Sequence, residues 1–131
     1  MTPPLYLDTS ALAKLVIDEP GSGELRSLLG DHQLVSSSIA QVELIRAARR
    51  VGTPQHVRVA AQVLQTVSLV RTEGWVLARA ATLDPPELRS LDAIHLATAL
   101  RVRTELTFLT YDRQLGQAAR DLGLPVVSPG V

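Results

Sequence analysis

Two hydrophobic periods alternate along the chain. Short apolar runs at Leu5-Tyr6-Leu7, Leu34-Val35-Ser36-Ser37, Val67-Ser68-Leu69-Val70, Thr107-Phe108-Leu109-Thr110 and Pro125-Val126-Val127 have the length of strands. Between them, apolar residues recur at helical spacing. The first run ends at Asp8, and a helix through Ala13, Leu15, Val16 and Ile17 is predicted to start at once. Asp18-Glu19-Pro20-Gly21-Ser22-Gly23 breaks the pattern, and Glu24 to Leu29 reads as a short helix ended near Gly30. From Ile39 to Val51 the positions Val42, Leu44, Ile45 and Ala48 mark a helix, which Gly52 stops. Thr53-Pro54 starts a second helix, to about Gln65, so the pair forms a hairpin.

Glu73 to Leu83 is expected to be helical, up to the break at Asp84-Pro85-Pro86, and Ser90 is expected to cap a helix from Leu91 to about Val102. A last helix follows Asp112 through Leu115, Ala118, Ala119 and Leu122, with Gly123 as its stop. The proline of the final run suits an edge strand. Strands alternating with helices predict an α/β domain with a mainly parallel sheet.

Composition narrows the classes. At 131 residues the chain has the length of one domain with one continuous core, expected to run over residues 1–131. Its hydrophobic share is 46% but its aromatic share only 3%, so Leu, Val, Ala and Ile must fill the interior. No apolar run is long enough to span a bilayer, and the start at Met1-Thr2-Pro3-Pro4 has no secretory-signal pattern. A cytoplasmic protein without a membrane partner is expected. The absence of cysteine excludes disulfides, thiolate zinc sites and cysteine nucleophiles. A formal net charge of zero argues against a strongly basic, non-specific nucleic-acid binder, yet leaves RNA open as a substrate if acids gather at one site.

Four carboxylates stand in suggestive places. Asp8 follows the first strand, Asp112 follows the fourth in the same manner, Asp92 lies in the first turn of a helix, and Glu43 sits within the helix after the second strand. Each has an ordinary explanation. Asp8 and Asp112 suit helix N-caps, Asp92 suits the positive end of a helix dipole, and Glu43 suits a solvated face. Two contexts weigh against those explanations: Asp92 begins a largely apolar helix, and Glu43 lies between Val42 and Leu44. If strands one to three wind outward and strand four returns beside strand one, their ends lie about 4.8 Å apart. Asp8 and Asp112 then face one crevice at the topological switch point, where ligands bind in open parallel sheets. Clustered carboxylates need cations, and oxygen-only ligands favour Mg²⁺ or Mn²⁺.

The segments Asp8-Thr9-Ser10-Ala11-Leu12, Val42-Glu43-Leu44, Leu91-Asp92-Ala93-Ile94-His95-Leu96-Ala97 and Leu109-Thr110-Tyr111-Asp112 resemble, in order, the motifs of the PIN-domain ribonucleases. The VapC-type toxins of bacterial toxin–antitoxin pairs are the most similar group. This resemblance implies a three-layer PIN-like domain with a sheet of order 3-2-1-4-5. It also implies cleavage of RNA with Mg²⁺ or Mn²⁺ and carboxylate ligands at Asp8, Glu43, Asp92 and Asp112. Thr9, Ser10 and Thr110 fall where the family has supporting hydroxyls. A homodimer and a small cognate antitoxin, whose tail enters the acidic cleft, are implied as partners. The hairpin from Ile39 to about Gln65 is a reasonable place for the antitoxin to grip.

Arg46, three residues after Glu43, is expected on the same side of its helix, either orienting that carboxylate or meeting a phosphate. Arg89 is a further candidate for phosphate or antitoxin contact. His95 reads as a structural, hydrogen-bonded histidine, and Tyr6 as core or sheet surface. Two rival functions remain. An aspartyl-nucleophile phosphatase would use Asp8, but it wants a second acid at the position of Ser10 and a late lysine, and Lys14 is the last lysine. A non-catalytic RNA- or protein-binding module has no need of four acids. A dinucleotide-binding domain is unsupported, because no Gly-rich fingerprint follows the first strand.

Overall fold

A computed structural model of the chain describes residues 2–102 and 105–131. Five strands, β1 (Leu5–Leu7), β2 (Leu34–Ser37), β3 (Val67–Val70), β4 (Thr107–Leu109) and β5 (Val126–Val127), form one sheet of order β3-β2-β1-β4-β5. Every pairing is parallel. This is the expected order, with β1 in the centre and the chain reversing its direction of winding between β1 and β4. The register Leu5↔Thr107, Tyr6↔Phe108 and Leu7↔Leu109 brings the ends of those two strands level. Asp8 N–H then donates to the carbonyl of Leu109 at 3.2 Å, carrying the pairing one residue past the strand.

A strand's side chains alternate between the two faces of a sheet, and here both faces are buried. Leu5, Leu7 and Leu109 join the core under α1 (Thr9–Ala13), α2 (Ser22–Leu29), α3 (Ala40–Val51) and α4 (Pro54–Gln65). Tyr6, Val35 and Phe108 face the opposite way, against α5 (Gly74–Ala80), α6 (Ser90–Arg101) and α7 (Arg113–Asp121). The result is a sheet between two helical layers. Tyr6 and Phe108, neighbours on adjacent strands, stack with ring centroids 5.2 Å apart.

Several helix boundaries differ from the sequence pattern, and α2 already starts at Ser22, inside the expected break. The first helix closes at Ala13, because Lys14, Leu15 and Val16 donate three residues back, to Ala11, Leu12 and Ala13, in a tightened final turn. α5 similarly ends at Ala80, with Thr82 and Leu83 bonding back to Arg79 and Ala80. Ser90 is not the cap of α6 but its first residue. Arg89 occupies the cap position with an extended backbone and no side-chain capping bond. A guanidinium has no acceptor with which to cap, so this side chain is free for other contacts.

Phe108 is fully buried and supplies the chain's largest aromatic pair. Phe108→Ala is expected to lower unfolding free energy by roughly 3–5 kcal/mol in a denaturant titration, the usual range for a buried aromatic truncated in a core. A loss below about 1 kcal/mol would mean that the site collapses around the cavity.

Candidate active site

β1 delivers Asp8 to the switch point with only 3% of its surface exposed. There it does two jobs. Oδ1 accepts from Ala11 N–H at 3.0 Å, capping α1, and from Ser10 Oγ at 2.7 Å. Oδ2 accepts from Thr110 Oγ1 at 2.6 Å, across the β1–β4 seam. Burial raises the Asp8 carboxyl above its ordinary value of 3.8, and the bonds from Thr110 and Ser10 oppose that rise without cancelling it. Ser10 Oγ also accepts from Tyr111 N–H at 2.9 Å, so it ties the start of α1 to the residue after Thr110.

The next residue builds the second wall. Thr9 Oγ1 donates to Glu43 Oε1 at 2.7 Å, and His95 Nε2 lies 2.8 Å from the same oxygen. A carboxylate only accepts, so Nε2 carries the proton of that bond. Nδ1 of the same ring lies 2.8 Å from the Tyr6 hydroxyl. Burial pushes Tyr6 well above the ordinary phenol value, so this hydroxyl keeps its proton. A line of hydrogen bonds therefore runs from the core of the sheet, through α6, to the carboxylate of α3. Burial works to raise the Glu43 carboxyl, but the bonds from His95 and Thr9 outweigh it, and its pKa lies below the ordinary value.

Asp92 and Asp112 form the third wall. Asp112 caps α7, accepting from Leu115 N–H at 2.9 Å through Oδ1. Its Oδ2 accepts from the Arg89 guanidinium at 2.8 Å, while Arg89 Nε donates to Asp92 Oδ2 at 3.0 Å. Burial raises the Asp92 carboxyl above its ordinary value against the pull of Arg89, and the charge of Asp112 adds to the rise. Arg89 is itself held above its ordinary value, by Asp92 first and then by Asp112.

These residues line one cavity of about 370 Å³, with Asp8, Glu43, Asp92 and Asp112 on its walls and Arg89 at its edge. Thr9 and Ser10 line it too, and Thr110 lies behind Asp8. All four predicted acids, drawn from positions 8 to 112, thus meet in space. Arg46 does not join them. It is exposed, lies with Arg49 and Arg50 along a separate shallow depression, and among the described residues makes no ion pair with Glu43. The helical spacing is as read, but Glu43 turns inward to His95 and Thr9 while Arg46 stays in solvent. His95 is buried and hydrogen-bonded as expected, and its bond to Glu43 is the addition. A polar residue one helical turn beyond Asp92 was the available signal. Lys14 bonds the Pro20 carbonyl and lies over the Tyr111 ring, so no lysine reaches the cavity.

Comparison with known proteins agrees with this geometry. The family model described as PIN domain matches residues 5–121. The chain belongs to the PIN domain family. Among its curated relatives are three proteins of Mycobacterium tuberculosis. Ribonuclease VapC47 is 40% identical over 96% of this chain and 97% of its own length, Ribonuclease VapC46 is 42% identical over 95% and 97%, and Ribonuclease VapC35 is 39% identical over 96% and 97%. A chain of a toxin–antitoxin complex from Klebsiella pneumoniae shares the fold, with a TM-score of 0.68 and 22% identity over 95% of this chain and 97% of that one.

The donor set of this PIN domain fits a hard divalent cation in kind: four carboxylates, no thiolate, and two acids that burial leaves short of positive charge. Their present arrangement is not yet a coordination shell. Among the described residues no three acidic or histidine side chains converge closely enough to hold one ion. Each acid is instead engaged with a donor of the chain itself.

The raised pKa of Asp8 gives a signed pH dependence. The folded state holds this proton more tightly than the unfolded state does. That contribution to stability is therefore complete below the ordinary value of 3.8 and is lost as pH rises through the raised one. Asp8→Asn removes the ionisation and keeps an acceptor for Ala11 and Ser10. With chelator present, the melting temperature of Asp8→Asn minus that of wild type is expected to be more positive at roughly pH 7 than at roughly pH 4. A difference that shrinks with rising pH would place the buried charge elsewhere.

Proposed function

We propose that this PIN domain is an endoribonuclease of the VapC toxin kind, hydrolysing phosphodiester bonds of RNA with Mg²⁺ or Mn²⁺ held by Asp8, Glu43, Asp92 and Asp112. One observation carries the reading: four carboxylates from four distant chain positions line a single cavity at the switch point of the sheet. The ribonuclease names of relatives at about 40% identity over nearly the whole chain support it. A bound divalent ion would supply Lewis acidity, acidifying a water and stabilising charge on the leaving oxygen.

The side chains divide the remaining work. Asp8, fixed on three donors, and Asp92 with Asp112 give hard oxygens in the lining of one cavity. Glu43 is held by His95 and Thr9 through Oε1 alone, with Oε2 outside those bonds. Its lowered pKa keeps it ionised and able to take a proton from water. As water oxygen bonds to phosphorus, its proton passes to a carboxylate and the bond from phosphorus to the leaving ribose oxygen breaks. Thr9, Ser10 and Thr110 keep the acids in place.

Beside the acidic cavity lies a second one of about 430 Å³, sharing Asp112 and lined by Arg113 and Arg120. Cations next to the acids offer a path for the phosphates of a strand in a chain whose net charge is zero. A cognate antitoxin and a homodimer belong to the same proposal. Val42, 63% exposed on α3, supplies apolar surface for such contacts. The cytoplasm is the compartment this activity calls for, and among the described residues no helix is long and apolar enough to cross a membrane.

Purified protein is expected to cut single-stranded RNA with Mg²⁺ or Mn²⁺, to stop with excess chelator, and to resume when the ion is restored. Asp8→Asn and Asp112→Asn should each lower the rate at least about a hundredfold, since changing mere supports of a metal site already costs roughly 10–100-fold. Undiminished cleavage by Asp8→Asn, or cleavage indifferent to chelator, would overturn the proposal. A phosphoaspartate trapped on Asp8 would turn it into a phosphatase.

A further inference from the structure

We infer that Arg89 is an exchangeable counter-ion: its guanidinium neutralises Asp92 and Asp112 when no divalent cation is bound, must leave them when one enters, and is then the group that grips the substrate phosphate. This deepens the metal-dependent nuclease reading and rests on it. The first support is geometric. Arg89 donates to one oxygen of Asp92 at 3.0 Å and to one of Asp112 at 2.8 Å, so a single side chain spans two of the four acids. A guanidinium and a divalent cation on the same two carboxylates repel each other, so each weakens the hold of the other.

The second support is exposure. The Arg89 side chain is 72% exposed, whereas those of Asp92 and Asp112 are 17% and 25% exposed. The cation thus lines the cavity from its solvent side, and it can swing out without disturbing the core. Its backbone sits at the N-cap of α6, and its side chain takes no part in capping. The third support is the absence, among the described residues, of any three acidic or histidine side chains close enough to hold one ion. Asp8 and Glu43 are engaged with Ser10, Thr110, Thr9 and His95, contacts that hydroxyls and an imidazole can keep beside a metal. Asp92 and Asp112 are engaged with a cation, which a metal ion would repel.

Once displaced, the guanidinium remains tethered at the mouth, beside the place where a scissile phosphate would meet the acids. Its planar fork suits two phosphate oxygens. Ion binding and RNA binding are then positively coupled, and by linkage each strengthens the other to the same degree. A merely structural Arg89, stapling α6 to α7, would behave differently. Its removal would loosen both acids and weaken ion binding.

The test pairs two equilibrium readouts on the full chain. Mn²⁺ affinity is measured by electron paramagnetic resonance, and affinity for a labelled single-stranded RNA by anisotropy, in chelator and in Ca²⁺. Arg89→Gln is expected to bind Mn²⁺ roughly three- to fivefold more tightly, the yield of removing an exposed ion-pair competitor. It should bind RNA roughly tenfold more weakly in Ca²⁺, with the salt slope reduced by about 0.7, one phosphate contact on a single strand. Arg89→Lys should return Mn²⁺ affinity toward the wild-type value. Melting curves establish that the variants are folded. Unchanged or weaker Mn²⁺ binding by folded Arg89→Gln, or unchanged RNA affinity, overturns the inference while leaving metal-dependent cleavage standing. Failure of the wild type to bind Mn²⁺ overturns both.

Discussion

A carboxylate buried at the end of the central strand constrains everything around it. Removing such a charge from water costs several kcal/mol even after relaxation, and each hydrogen bond to an ionised group returns roughly 1.5–3 kcal/mol. Asp8 has three such bonds, from Ser10, Ala11 and Thr110. They come from two separate parts of the chain: the first turn of α1 and the residue just beyond β4. The pairing of β1 with β4 is therefore needed twice, once to build the sheet and once to bring Thr110 to Asp8. The carboxyl still lies above its ordinary value, so the bonds do not fully offset burial and the site retains a demand for positive charge.

Around Asp8 the other acids are held by different means, and this sets their roles apart. Glu43 is backed by Thr9 and by a line that reaches through His95 to Tyr6 in the core. That support is rigid, because Tyr6 stacks on Phe108 and both are buried. Asp112 is pinned by its capping bond to Leu115, and Asp92 by its place in the first turn of α6. Arg89, the cation between those two, is held at the surface. Among the described residues the site thus has fixed anions and a movable counter-charge.

Much of this arrangement was legible in the sequence. Buried parallel strands announce themselves as short apolar runs, and all five lie where those runs are. The return of strand four beside strand one was supposed from two matching apolar–acid endings, at Asp8 and Asp112, and the sheet order was implied by the family resemblance. Capping and a place in the cavity looked like competing explanations for these acids, yet Asp8 and Asp112 each cap a helix and line the cavity. Helix ends were read too long at Ile17 and Leu83, because final turns with three-residue bonds keep the apolar spacing while leaving the α-helix. Of the two readings of Arg46, orienting Glu43 fails for a plainer reason. A three-residue spacing puts two side chains on one side of a helix, but it does not say which of them turns toward a buried partner. His95 on α6 could not be matched to Glu43 on α3 from the sequence, because the contact depends on how two helices pack across the end of the sheet.

Diffraction from crystals soaked in Mn²⁺, collected at the manganese absorption edge, probes the shared ion site most directly. An anomalous peak is expected between Asp8, Asp92 and Asp112, with at least one carboxylate oxygen about 2.0–2.2 Å away and the Arg89 guanidinium turned out of the cavity. A cavity without a peak, with Arg89 still seated on Asp92 and Asp112 at saturating Mn²⁺, would mean that these acids do not form a cation site at all.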